Sequence, residues 1–155
     1  MVLAVHQDQI VAWEFFEKTA TDNAAIDSTR WVNFLNTTLR TALENRDEDH
    51  PILLMDNART HTSFESMDFY METNLDLVPH PEYLPNLNPP DFDIFNRIKR
   101  RLRARRFATP QELKTRVGVI IQELNQDQGP NRMKGTTYLP IRWEHVIKAK
   151  GEYIH

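Results

Sequence analysis

Hydrophobic and polar positions change period several times along this chain, and each change predicts an element. Val2 to Val5 and Ile10 to Phe16 are rich in strand formers and are separated by the polar stretch His6-Gln7-Asp8-Gln9, which predicts a hairpin. The period then lengthens: Trp31, Phe34, Leu35, Leu39 and Leu43 recur at helical spacing, predicting a helix capped by Asp27 or Ser28 and running to about Asn45. Pro51-Ile52-Leu53-Leu54-Met55 is short, continuously apolar and bounded by turn formers, as a strand buried on both faces would be. A helix over Ser63 to Glu72, a short strand over Leu75 to Val78 and a rigid proline-rich loop from Pro79 to Pro90 follow. Three helices complete the pattern: Asp91 to about Arg105, Thr109-Pro110 to about Asn125 with Thr109 as N-cap, and Leu139-Pro140 to Lys150. Strands first, helices and strands in alternation, then a helical C-terminal part predict an α/β domain spanning residues 1–155 as one unit.

Composition adds limits. A chain of 155 residues that is 40% hydrophobic and 26% charged is sufficient for one core. The absence of cysteine excludes a disulfide framework and a thiolate zinc site. The opening apolar run is too short for a signal-peptide core and no other run approaches a membrane span, so the expectation is a soluble, intracellular protein with no membrane partner. Trp13, Trp31 and Trp143 sit in or beside apolar patterns and are expected in the core.

Charge is unevenly spread. Residues 1–95 hold 5 Lys/Arg against 17 Asp/Glu and residues 96–155 hold 14 against 5, so the halves carry −12 and +9. An acidic half could collect cations and a basic half could follow a polyanion; two solvated faces that neutralise each other give the same totals.

Two carboxylates stand out. Asp56 ends the apolar strand in LLMDNARTH, Leu53 to His61, where open α/β sheets hold ligands, although a strand-end Asp also serves as a simple turn residue. Asp91 follows Pro89-Pro90 and begins a helix, where the positive end of the helix dipole favours the ionised form that a hard cation requires; an ordinary N-cap would look the same. Asp93 is two residues on, roughly 200° round the axis, and is not expected to join it. Arg97, Lys99, Arg100, Arg101, Arg103, Arg105 and Arg106 then place seven cations in ten residues, a block suited to DNA phosphates or to a solvated helix face. As KRRLRARR the run also has the form of a nuclear localisation signal, which makes the expected location nuclear.

The motifs in combination resemble the mariner family of transposases. LLMDNARTH is similar to the family's D-N-A-x-x-H motif, HPEYLPNLNPPDFDIF (His80 to Phe95) to H-x-x-Y-x-P-x-L-x-P-x-D, and LPIRWEHVIKAKGEYI (Leu139 to Ile154) to its L-P-x-R-W ending. Asp91 follows Asp56 by thirty-five positions, which also fits the family. The resemblance implies a ribonuclease H-like (DDE/D integrase-type) fold and metal-dependent phosphodiester cleavage and strand transfer. Asp56 and Asp91 would be the catalytic, Mg²⁺- or Mn²⁺-binding acids, with Asn57 and His61 close behind them and DNA, not a small molecule, as substrate. Where the family usually has aspartate before the third acid, this chain has Asn86.

The resemblance also implies a first acid on a central strand that precedes Met1, between the strand of Val2 to Val5 and the strand ending at Asp56. The expectation for residues 1–155 is therefore a sheet with unpaired edges, self-association as a dimer, and weak or absent catalysis. The alternative is a non-catalytic DNA-binding or self-associating module derived from a transposase.

Overall fold

A computed structural model of the chain describes residues 1–18, 25–46, 50–73, 75–78, 80–81, 84 and 87–150. Much of the proline-rich stretch, Asn86 and the last residues of the final motif lie outside these. The chain divides into two compact units. The first comprises residues 1–4 and 11–84, the second residues 5–10 and 85–155, so the predicted hairpin contributes its base to one and its tip to the other.

The hairpin is β1 (Val2–His6) and β2 (Gln9–Glu14), which stops short of the predicted Phe16. In the first unit a continuous helix follows, as Ser28–Asn33 (α1), a π-helical turn at Phe34–Leu39, and Arg40–Glu44 (α2). Asp27 caps it, its side chain accepting the Arg30 N–H at 2.9 Å, which satisfies one of the orphan donors of the first turn. The π turn has no signature in the hydrophobic spacing. Strand β3 (Ile52–Leu54) pairs in parallel with β4 (Asp76–Val78), Leu53 opposite Leu77, and α3 (Phe64–Thr73) connects them and packs on α1. Ala12, Trp31, Phe34, Leu35, Leu39 and Tyr70 form the core, with Leu53, Met55 and Leu77 against it. Truncating a side chain as enclosed as Phe34 costs about 3–5 kcal/mol.

β3 corrects one expectation: it is not buried on both faces, since Ile52 is 67% exposed. The physical reason is in the pairing. Among the described residues the strands form two separate two-stranded sheets, β1 with β2 and β3 with β4, so β3 has a neighbour on one edge only.

In the second unit a π-helical turn, Pro90–Ile94, leads into α4 (Phe95–Leu102), which packs on α5 (Pro110–Gln126). Buried Val117, Ile120, Ile121 and Leu124 recur along α5 at helical spacing. Thr109 caps α5 as expected, accepting the Glu112 N–H at 3.1 Å, and Glu112 returns a carboxylate oxygen to the Ala108 N–H at 2.8 Å. A short 3₁₀ turn, Gly135–Tyr138, runs into α6 (Leu139–Lys148). The Asn125 amide binds the Ile10 backbone in both directions, at 2.9 Å each, and so occupies the outer edge of β2 with a side chain.

Two further expectations change here. α4 ends at Leu102, not near Arg105, because Arg103 leaves helical geometry and Ala104 adopts a left-handed φ of 64°; Arg103, Arg105 and Arg106 therefore lie beyond the helix. Trp143, on α6, is 42% exposed and is no core residue, whereas Trp31 is buried. Among the described residues no helix is long and apolar enough to cross a membrane.

Candidate metal and nucleic-acid site

Asp56 stands two residues beyond the end of β3, where the chain turns. One carboxylate oxygen, Oδ1, accepts the Ala58 N–H at 3.0 Å, an Asx-type closure of the turn, and lies 2.9 Å from His61 Nδ1. The same Nδ1 is 3.1 Å from the Asp56 carbonyl. Facing two acceptors, Nδ1 carries the hydrogen. The carboxylate is about half exposed, and among the described residues its other oxygen has no partner.

His61 is placed from behind. Its ring lies 4.3 Å from the Trp31 indole, its N–H donates to the Ala58 carbonyl at 2.9 Å, and its carbonyl accepts the Tyr70 hydroxyl at 3.1 Å. Tyr70 in turn accepts the Trp31 Nε1–H at 2.6 Å. Burial pushes the Tyr70 phenol above its ordinary 10, against the smaller opposing effect of its hydrogen bonds to Trp31 and Ser66. Asn57 turns away from the carboxylate: its Nδ2 donates to the His80 carbonyl at 2.9 Å and ties the Asp56-Asn57-Ala58 segment to the start of the next motif. A cleft of about 550 Å³ lined by Leu35, Leu39, Leu43 and Phe69 includes none of these site residues.

In the second unit Asp91 lies within the first helical turn; the position before it is filled by Pro90 and the cap by Pro89, so Asp91 is not the N-cap that its place in the sequence implied. It is exposed, its N–H donates to the Asn88 carbonyl at 3.0 Å, and Asn88 Nδ2 donates to Oδ2 at 2.8 Å. Oδ1 remains open among the described residues, as at Asp56. Asp93 has a different role. It pairs with Arg97 and accepts the Lys134 N–H at 2.8 Å, and both side chains are largely enclosed. Arg97 also donates to the carbonyls of Asn131 and Arg132, so its guanidinium is committed inside the unit.

The rest of the basic run divides by surroundings. Lys99, Arg100, Arg103, Arg105 and Arg106 are exposed, and none is in an ion pair among the described residues. Arg101 is half-buried, and its Nη1 is enclosed without a hydrogen-bond partner.

Both candidate acids offer a hard oxygen donor with one lone-pair face open, which fits Mg²⁺ or Mn²⁺ in kind. In number they are few. Among the described residues no three His, Asp or Glu side chains gather as a metal site, so a cation at either acid would take its remaining ligands from water and substrate oxygens.

Residues 1–114 match the family model described as DDE superfamily endonuclease. Human histone-lysine N-methyltransferase SETMAR is 31% identical over 116 residues, 74% of this chain and 16% of that protein. The mariner Mos1 transposase of Drosophila mauritiana is 25% identical over 156 residues, 99% of this chain and 44% of that protein. The chain thus spans less than half the length of either relative. A structure of the Mos1 transposase catalytic domain with raltegravir and Mg superposes with a TM-score of 0.79 at 24% identity, covering 96% of this chain and 73% of that one, and shows the same ribonuclease H-like fold.

Proposed function

Because this chain belongs to the DDE superfamily endonucleases, in a mariner-type transposase domain, we propose that it is a transposase-derived DNA-processing domain in which Asp56 and Asp91 hold Mg²⁺ or Mn²⁺. The observation that carries this reading is the Asp56 carboxylate just beyond β3, one oxygen fixed by Ala58 and His61 and the other without a partner among the described residues. A bound divalent cation would supply Lewis-acid polarisation of a phosphodiester and help form the attacking oxygen nucleophile. The chain's own residues do the rest. Asp56 and Asp91 contribute charge and oxygen ligands, and His61 keeps one Asp56 oxygen engaged so that the other presents itself in one direction.

Lys99, Arg100, Arg103, Arg105 and Arg106 are the proposed phosphate contacts, giving salt-sensitive affinity without sequence reading. With Arg101 they also form the proposed nuclear localisation run. A second copy is the proposed partner at the edges of β1 and β3 that have no strand beside them among the described residues, since exposed strand edges favour pairing with another chain. Two carboxylates are fewer than two-metal phosphoryl chemistry commonly uses, so residues 1–155 by themselves are expected to cleave weakly or not at all. The exposed cations Lys99, Arg100, Arg103, Arg105 and Arg106, in no ion pair among the described residues, favour the second reading, a DNA-binding module without chemistry.

The test is incubation of the chain with supercoiled plasmid at low salt, with Mn²⁺, Mg²⁺ or EDTA, beside Asp56→Ala. Metal-dependent nicking lost in Asp56→Ala supports a working centre. Retardation without nicking supports the binding module, and neither nicking nor retardation rejects both.

A further inference from the structure

We propose that Trp31 and Tyr70 are positioning residues for the Asp56 carboxylate, acting through the His61 ring. This rests on the reading of Asp56 as a metal ligand. The Tyr70 hydroxyl is inside the apolar core of the first unit, with the residue only 3% exposed and Trp31 only 5%. Phenylalanine would fill nearly the same space without the cost of burying an oxygen, so packing alone does not call for it.

The bonds made there form a closed arrangement. Trp31 Nε1–H donates to Tyr70 Oη at 2.6 Å, and the Tyr70 O–H has the His61 carbonyl at 3.1 Å and the Met55 sulfur at 3.5 Å as acceptors. These acceptors flank Asp56 in sequence. The Trp31 indole, held by Tyr70, lies against the His61 imidazole at 4.3 Å and 41°. One hydroxyl therefore sets both the backbone of His61 and the surface on which its ring rests. The ring's remaining freedom is rotation about its own bonds, and the indole limits it. With Nδ1 thus facing Asp56, the carboxylate keeps Oδ1 occupied at 2.9 Å, while Oδ2 has no partner among the described residues.

The arrangement makes a statement about metal-free protein that a merely structural role does not make: His61 keeps its hydrogen on Nδ1, toward Asp56, and it does so because of Tyr70 and Trp31. The experiment is ¹⁵N NMR of the imidazole nitrogens in the full chain without metal, at mildly alkaline pH. Wild type, Tyr70→Phe, Trp31→Phe and Leu39→Ala are compared. Leu39 is in the same core but makes none of these bonds, so Leu39→Ala reports loss of packing alone.

The expected result is a single Nδ1–H tautomer in wild type and Leu39→Ala and a mixture in Tyr70→Phe and Trp31→Phe. Mn²⁺ binding should weaken by about tenfold in the two aromatic variants, the lower end of what partners behind a ligand contribute. An unchanged tautomer in Tyr70→Phe and Trp31→Phe, or an equal change in Leu39→Ala, overturns the proposal. If wild type binds no Mn²⁺ through Asp56, the metal reading fails while the tautomer comparison still decides this one. Should any variant not fold, the remaining aromatic variant carries the same comparison.

Discussion

Arg97 and Asp93 lie one helical turn apart and hold each other in an enclosed ion pair, with the carbonyls of Asn131 and Arg132 completing the guanidinium's bonds and the Lys134 N–H completing the carboxylate's. Two residues that look in sequence like a spare acid and the first cation of a DNA-binding run are a clamp between the start of α4 and the segment before α6. Arg97→Ala is therefore expected to lower stability by about 2 kcal/mol, as loss of hydrogen bonds to a charged group does, a change measurable by urea denaturation.

Arg100→Ala and Arg105→Ala should behave in the opposite way. Both residues are exposed and unpaired among the described residues, so stability is expected to stay within about 0.5 kcal/mol. DNA retardation should weaken, and each substitution should reduce the slope of log affinity against log salt by about 1. An unchanged salt slope would remove these residues from the DNA interface.

Tyr70 predicts an alkaline limit. Its phenol is pushed above 10 in the folded chain, so the unfolded chain loses that proton first. The stability held by the neutral phenol is complete below pH 10 and is lost as pH rises through the higher folded value. Tyr70→Phe should be less stable at neutral pH and should show a shallower fall above pH 10, read from urea midpoints across the range.

Gly135 has a positive φ of 50°, and a Cβ there would overlap the Gln7 carbonyl oxygen, which already accepts the Thr136 N–H at 2.7 Å. Backbone meets backbone at this point, and neither can yield as a side chain could. Gly135→Ala is expected to cost about 2 kcal/mol or more. The check is the urea midpoint beside Gly129→Ala, where φ is ordinary and the nearest neighbour is the Asp127 side chain.

Much of this arrangement is legible in the chain itself. The hairpin, the strand ending near Asp56 and the helices of both units follow from period, caps and punctuation, because these signals are local. The two candidate acids and His61 are read from motif spacing, and His61 does stand beside Asp56. What sequence does not carry is the partner of a polar group far along the chain. Trp31 reads as core, and nothing in its neighbourhood says that its N–H meets a hydroxyl thirty-nine residues later. Arg97 reads as one cation of seven because the carbonyls that occupy it come from residues 131 and 132. The helix end at Leu102 is hidden in the sequence for a related reason: arginine is a good helix former, and only the left-handed Ala104 reveals the break.

The central claim, that Asp56 and Asp91 are the metal-binding acids, is tested most directly by Mn²⁺ titration of the full chain followed by electron paramagnetic resonance. The account predicts binding that weakens by about tenfold or more in Asp56→Ala and again in Asp91→Ala, with Asp93→Asn, whose carboxylate is occupied by Arg97, leaving the affinity near that of wild type. Equal affinity in wild type, Asp56→Ala and Asp91→Ala would contradict it.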